Sequence, residues 1–260
     1  LSRGLGDVYK RQIQGRSAVF NSDFTTADSE TIMSYEGGIK TNLLGNRLRF
    51  NLSGFAWKVK DIQLNGNDVN GNGVLFNADA AKAYGLEADL EARPFDNLTL
   101  SAGLSLLHSE INDKNVYAQV CTLNSVVVCT VEDPTVTVAG RGVFAQIDGN
   151  PLPNAPKYTA NIAARYDVPL GNGGKIFAAT DWNIQGYTNF VLYKTKEFYS
   201  KGDFEGGLKI GYTAPDGKYE IAAFARNITG EKNMKGVIEN YMAPVFNEPR
   251  IIGVSLSGKL

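Results

Sequence analysis

With 260 residues, 43% of them hydrophobic and 20% charged, the chain has the composition of a folded protein and not of a disordered one. Its 26 Lys and Arg against 27 Asp and Glu leave a net charge of −1, and no basic cluster stands out, which excludes nucleic acid as an expected partner. No stretch of about 18 apolar residues occurs, so nothing is expected to cross a bilayer as a helix, and no basic-then-apolar segment at the start reads as a signal peptide.

The opening LSRGLGDVYKRQ, residues 1–12, shows neither alternation nor a helical period; it resembles the spurious translated ends that sequencing adapters leave and is set apart as non-native. Residues 13–33 are expected to be a loop remnant, and from 34 to 260 a period of two takes over, the signature of strands with two chemically different faces. Tyr35, Ile39 and Leu43 alternate with Ser34, Glu36, Lys40 and Asn42, and Leu48, Phe50 and Leu52 with Arg49, Asn51 and Ser53. After a segment over 61–82 expected to be a loop, Tyr84, Leu86, Ala88 and Leu90 oppose Glu87, Asp89 and Glu91, and Leu98 to Leu106 oppose Thr99, Ser101 and Ser105. A long loop is expected over 109–156. Beyond it come Tyr158, Ile162 and Tyr166 against Asn161 and Arg165, then Ile176, Ala178 and Trp182 against Lys175, Asp181 and Asn183. Loops near 188–202 and 228–249 separate the last three strands, carried by Phe204, Leu208, Ile210 and Tyr212, by Tyr219, Ile221, Ala223 and Ala225, and by Ile252, Val254 and Leu256. Phe55, Trp57, Leu107, Phe177 and Phe224 break the pattern by falling on the polar face.

The connections alternate too. Tight turns at LLGN, RPFDN, PLGNGG and APDGK are interleaved with the long segments, the arrangement of an outer-membrane barrel with short periplasmic turns and long extracellular loops. Aromatics at both ends of the apolar stripes, Tyr158 with Tyr166 and Phe204 with Tyr212, fit two interfacial girdles. The Leu/Ala/Tyr face is therefore expected to meet lipid and the Glu/Asp/Ser/Thr face a polar lumen; the competing reading is a soluble all-β domain. The fold class expected is all-β, an antiparallel meander of about nine long amphipathic strands. An odd number of antiparallel strands cannot close on itself, so the sheet is expected to be open and part of a larger barrel.

The ordered blocks SYEGGIKTNLLGNRLRFNLSGFAWKVKDIQL, AKAYGLEADLEARPFDNLTLSAGLSLLHSE, PLPNAPKYTANIAARYDVPLG, AFARNITGEKN and NEPRIIGVSLSGKL resemble the C-terminal barrel part of TonB-dependent outer-membrane receptors over about 30–260. The resemblance implies a 22-stranded transmembrane β-barrel with an N-terminal plug, of which this segment holds roughly strands 14 to 22 without plug or TonB box. It implies placement in the cell outer membrane and active uptake of a scarce nutrient such as a ferric siderophore, with the lipid bilayer and TonB as partners. Family members usually carry aromatics where Ala56 and Lys58 stand, and usually end in an aromatic where this chain has Leu260.

Residue chemistry adds little to this. Cys121 and Cys129 would close a small ring in an oxidising compartment and stay unpaired in a cytosolic one; the rest of the sequence points outside the cytoplasm, which makes them a disulfide candidate. Glu87, Asp89 and Glu91 form a straight row, not a convergent metal site, and are expected to find Arg or Lys on neighbouring strands. His108, the only histidine, shares a face with Glu110 and not with Ser105, so no hydrolase site is expected. NGNDVNGNG at 65–73 lacks the spacing of a calcium loop and PLGNGGK joins strands, with no helix to hold a phosphate. No catalytic, cofactor or metal site is therefore expected, and the segment 111–156 is the expected ligand-contacting element. The alternative function is a passive porin or small structural barrel.

Overall fold

The computed structural model describes residues 8–11, 27–68, 70–123 and 126–258. Ten strands form one sheet in strict sequence order, each antiparallel to the next: β1 Val8–Arg11, β2 Glu30–Leu43, β3 Leu48–Asn67, β4 Gly73–Phe95, β5 Leu98–Ile111, β6 Tyr158–Pro169, β7 Lys175–Gln185, β8 Asp203–Thr213, β9 Tyr219–Arg226 and β10 Ile251–Gly258. β2 to β10 are the nine strands expected from the alternation. The order is linear, with no pairing between β1 and β10 among the described residues, so the sheet is open.

Three boundaries differ from the sequence reading. Val8–Arg11, inside the stretch set apart, pairs with Glu30–Met33, so the expected loop over 13–33 ends where β2 begins at Glu30. The segment 61–82 is mostly strand: β3 and β4 continue in register up to Asn67 opposite Gly73. The continuation escapes a period-two reading because the alternation slips. Val59 is buried, and so are Ile62 and Leu64, three and five residues on, an odd spacing that reverses the alternation; on β4 the buried positions pass likewise from Ala83 and Ala81 to Ala78. At the slip Asp61 adopts φ 54°, a left-handed conformation that Asp tolerates better than most side chains, and its carbonyl accepts the Asn77 amide at 2.6 Å. Leu260 lies outside the described residues.

Below the slip the two faces are unlike. Ile39, Leu86, Ile162, Ile210, Ile252 and Leu256 all project, exposed, from one side, and so broad an apolar face is not a water-facing surface. The opposite side carries the carboxylates, amides and hydroxyls. Its apolar exceptions have a packing reason: Phe55 sits opposite Gly85, Phe177 opposite Gly211 and Phe224 opposite Gly253 in the strand register. A β carbon at Gly85 would stand 2.7 Å from Phe55, and at Gly211 or Gly253 2.8 Å from the facing ring. Each ring thus lies over the bare backbone of its neighbour, covering strand that would otherwise lack side-chain packing. Trp57 packs instead against the core.

That core lies at the long-loop end, on the polar side of the sheet. Val59, Ile62, Leu64, Ala81 and Ile111 from the strand tips meet Val116, Val120, Ile147, Leu192, Tyr193 and Phe198 from the loops. β3 and β4, 20 and 23 residues long, exceed the 9–11 residues (roughly) that cross a bilayer. Their surplus forms the wall on which the loops fold back.

Candidate functional site

The strand register assembles the polar face into rows. Lys40, Asn51, Asp89, Gly103, Asn161, Asn183 and Glu205 face one another in succession across seven strands. Of the carboxylate row, Glu91 lies 3.9 Å from Arg49, while among the described residues neither Glu87 nor Asp89 has an ion pair. The expectation that neighbouring strands neutralise the row therefore holds at one end only. Among the described residues no group of three His, Cys, Asp or Glu is placed to hold a metal ion.

Toward the short-turn end the face is neutralised more fully. Lys209 lies 2.7 Å from Glu220, and Arg165 bonds Asp167 at 3.0 Å while its guanidinium stacks 3.9 Å above the ring of Phe177. Buried Phe177 thereby serves as the floor of an ion network, and the cations gain a π-face in return. Above this, under the last loop, is a cavity of about 590 Å³ lined by Asp181, Asn183, Glu205, Lys209, Arg226 and Lys235. Its lining brings the cations Lys209, Arg226 and Lys235 together with the acceptors Asp181, Asn183 and Glu205.

Three loops cap this face and are tied together by buried polar contacts. The first, 112–157, contains short paired strands at Tyr117–Gln119, Thr135–Val138 and Gly142–Gln146, and it brings the Cα atoms of Cys121 and Cys129 to 6.0 Å, within the span of a disulfide. Asp133 accepts the Asn150 amide at 2.6 Å within that loop and the Lys194 backbone N–H at 2.7 Å from the second, 186–202. Tyr193 is the central tie. Its hydroxyl oxygen accepts the Cys121 N–H at 2.7 Å and its proton goes to Glu239 of the third loop, 227–250. The other Glu239 oxygen accepts the Asn67 amide at 2.9 Å from the tip of β3. Burial pushes the Glu239 carboxyl above its ordinary range, and burial together with the Glu239 charge raises the Tyr193 phenol strongly. Lys235 of the same loop reaches down to buried Asp203 at 2.5 Å, itself held by Ser200 at 3.0 Å.

His108 is elsewhere. It projects from the apolar side, its ring 4.8 Å from that of Tyr84 and its Nε2 3.4 Å from Glu110, while Ser105 faces the polar side. His108 and Ser105 thus lie on opposite faces of the sheet. Tyr193, Glu239 and Asp133 are absent from the sequence reading because they lie in aperiodic loops and meet across 46 to 72 residues. No local spacing signals such contacts.

Residues 4–228 match the family described as TonB dependent receptor-like, beta-barrel. Solved structures give the same fold. The chain is similar to the ferric yersiniabactin uptake receptor FyuA from Yersinia pestis, with a TM-score of 0.68 and 16% identity over 96% of this chain and 33% of that one. It is similar to the siderophore receptor PiuA from Acinetobacter baumannii, with a TM-score of 0.65 and 18% identity over 92% and 30%. The ferripyoverdine receptor of the outer membrane of Pseudomonas aeruginosa matches with a TM-score of 0.58 and 15% identity over 96% and 30%. The chain spans about a third of the length of these receptors.

Proposed function

We infer function from one premise: the chain belongs to the TonB-dependent receptor-like β-barrel family. Its place is the outer membrane, so the apolar face is the lipid face and the polar face lines the lumen. From that premise we propose that the protein takes part in TonB-dependent uptake of a scarce nutrient across the outer membrane, with a ferric siderophore as ligand. The observation that carries the reading is a lumen of mixed charge, with a cavity under the last of three mutually tied loops. A polar chelate needs such cations and acceptors once it leaves water, and a passive pore has no use for a tied cap. The names of the receptors above, one for ferric yersiniabactin, one for a siderophore and one bound to ferripyoverdine, support this ligand class.

The test is uptake of radioactive iron, presented as hydroxamate, catecholate and mixed-ligand chelates, in cells with the gene intact, disrupted or restored. The proposal expects one chelate class to lose uptake on disruption, and the same loss when the proton gradient is collapsed. Uptake by the protein that survives loss of the gradient would mean a passive pore, and no loss for any iron chelate would overturn the ligand class.

A further inference from the structure

On the lipid face the strand register builds two successive rows at the loop end. The lower is aromatic: Tyr35, Ala56, Tyr84 and His108 stand opposite one another on β2 to β5. Ala56, where an aromatic is usual, is therefore flanked by two tyrosines that keep the girdle continuous. The next row, two residues and roughly 7 Å farther along the strands, is Met33, Lys58, Lys82 and Glu110. Lys60, two residues above Lys58 on the same face, has 77% of its side chain exposed.

Lys58 and Lys82 are direct cross-strand partners, an arrangement of like charges that destabilises a sheet unless an anion intervenes. Protein groups compensate it incompletely. Lys82 lies 3.3 Å from Glu110 and Lys60 lies 3.9 Å from Asp61, whereas Lys58 has no carboxylate within 4.0 Å among the described residues. An aromatic girdle marks the level of the lipid headgroups, so the lysine pair sits among headgroups on the loop-bearing side. Charge complementarity and continuity with the lipid face select the occupant. We propose that Lys58 and Lys82, with Lys60 above them, bind a phosphate group on the headgroup of an outer-leaflet glycolipid. The inference rests on the membrane placement of the sheet and not on which nutrient is imported.

The test uses the intact receptor, purified in detergent and stripped of lipid, with native mass spectrometry as readout. The probes are bisphosphorylated lipid A, its dephosphorylated form and inorganic phosphate. The expected result is binding of the bisphosphorylated lipid, weakened roughly 25-fold in the Lys58→Gln/Lys82→Gln variant, at roughly fivefold per lysine, and retained in Lys58→Arg/Lys82→Arg. Heat-dependent gel mobility reports folding; if the double Gln variant does not fold, Lys58→Gln alone is expected to weaken binding roughly fivefold. Equal binding of the dephosphorylated lipid, or unchanged binding by the folded Gln variants, would overturn the proposal. Competition by inorganic phosphate at lipid-like concentration would assign the site to a free anion, and overturn it as well.

Discussion

Replacing Tyr193 with Phe removes one oxygen and nothing else, from a side chain that is 1% exposed. The ring keeps its packing against Cys121 and the loop core, so the change isolates the polar tie. Two groups lose their partner: the Cys121 N–H, on a residue 3% exposed, and one oxygen of Glu239. A buried donor left unpaired costs about 1–3 kcal/mol, and the loss at a charged acceptor that can recruit water adds about 1 kcal/mol. The sum, about 2–4 kcal/mol, raises the opening equilibrium of the cap roughly 30- to 1,000-fold. Hydrogen exchange on the purified receptor, followed by mass spectrometry, reads this directly. Peptides covering 116–123 and 234–242 are expected to exchange faster by that factor, while 98–106 in β5 stays unchanged. Acceleration of less than threefold in both loop peptides would refute the view that Tyr193 joins the loops.

Three further outcomes follow from the same contacts. Because burial holds the docked Glu239 carboxyl above its ordinary value of 4.5, the docked loop binds the proton more tightly than the released loop. Docking of 234–242 is therefore strongest below that ordinary value and weakens as pH rises through the raised one; Glu239→Gln flattens the profile, and docking that tightened with rising pH would contradict the assignment. Cys121 and Cys129 are expected to resist alkylation until reduced, and replacing both with Ser opens a loop of separation 8 at a cost of about 2.5 kcal/mol, seen as faster proteolysis near 120–130; thiols that alkylate without reductant would sink this. Gly85→Ala places a β carbon 2.3 Å from the Leu106 carbonyl oxygen and 2.7 Å from Phe55, whereas at Gly37 nothing lies within 4 Å. The first substitution is expected to lower the yield of heat-resistant folded barrel on gels and the second to leave it unchanged, and equal yields would refute the close-packing account.

The transmembrane part was legible because lipid on one side and polar lumen on the other impose period two on every strand. Tyr84 to Leu90 and Leu98 to Leu106 show it without interruption, and they lie in β4 and β5 as expected. Legibility fails where the surroundings change. Above the membrane both sides of the β3–β4 hairpin meet protein or water, and the slip at Asp61 breaks the period, so 61–67 and 73–82 read as loop. Phe177 and Phe224 look like errors of alternation until the glycines opposite them are known. The ties of Tyr193, Glu239 and Asp133 are long-range contacts between aperiodic segments. A residue pattern carries the medium around a strand, and it carries almost nothing about which loop meets which.

The slip at Asp61 also sets where the membrane ends. Ile62 and Leu64 continue in sequence the even-numbered outward row of Leu48, Phe50 and Leu52, and a hydropathy profile would carry the oily belt up through them. One left-handed residue turns them inward instead, into the loop core, and presents Gln63 and Asn65 in their place. The same hairpin is thus an inside-out protein below residue 61 and an ordinary water-soluble one above it. Tolerance to hydrophobic substitution should invert between odd and even positions at that point, so the waterline of this barrel is drawn by a single backbone torsion and not by the greasiness of its side chains.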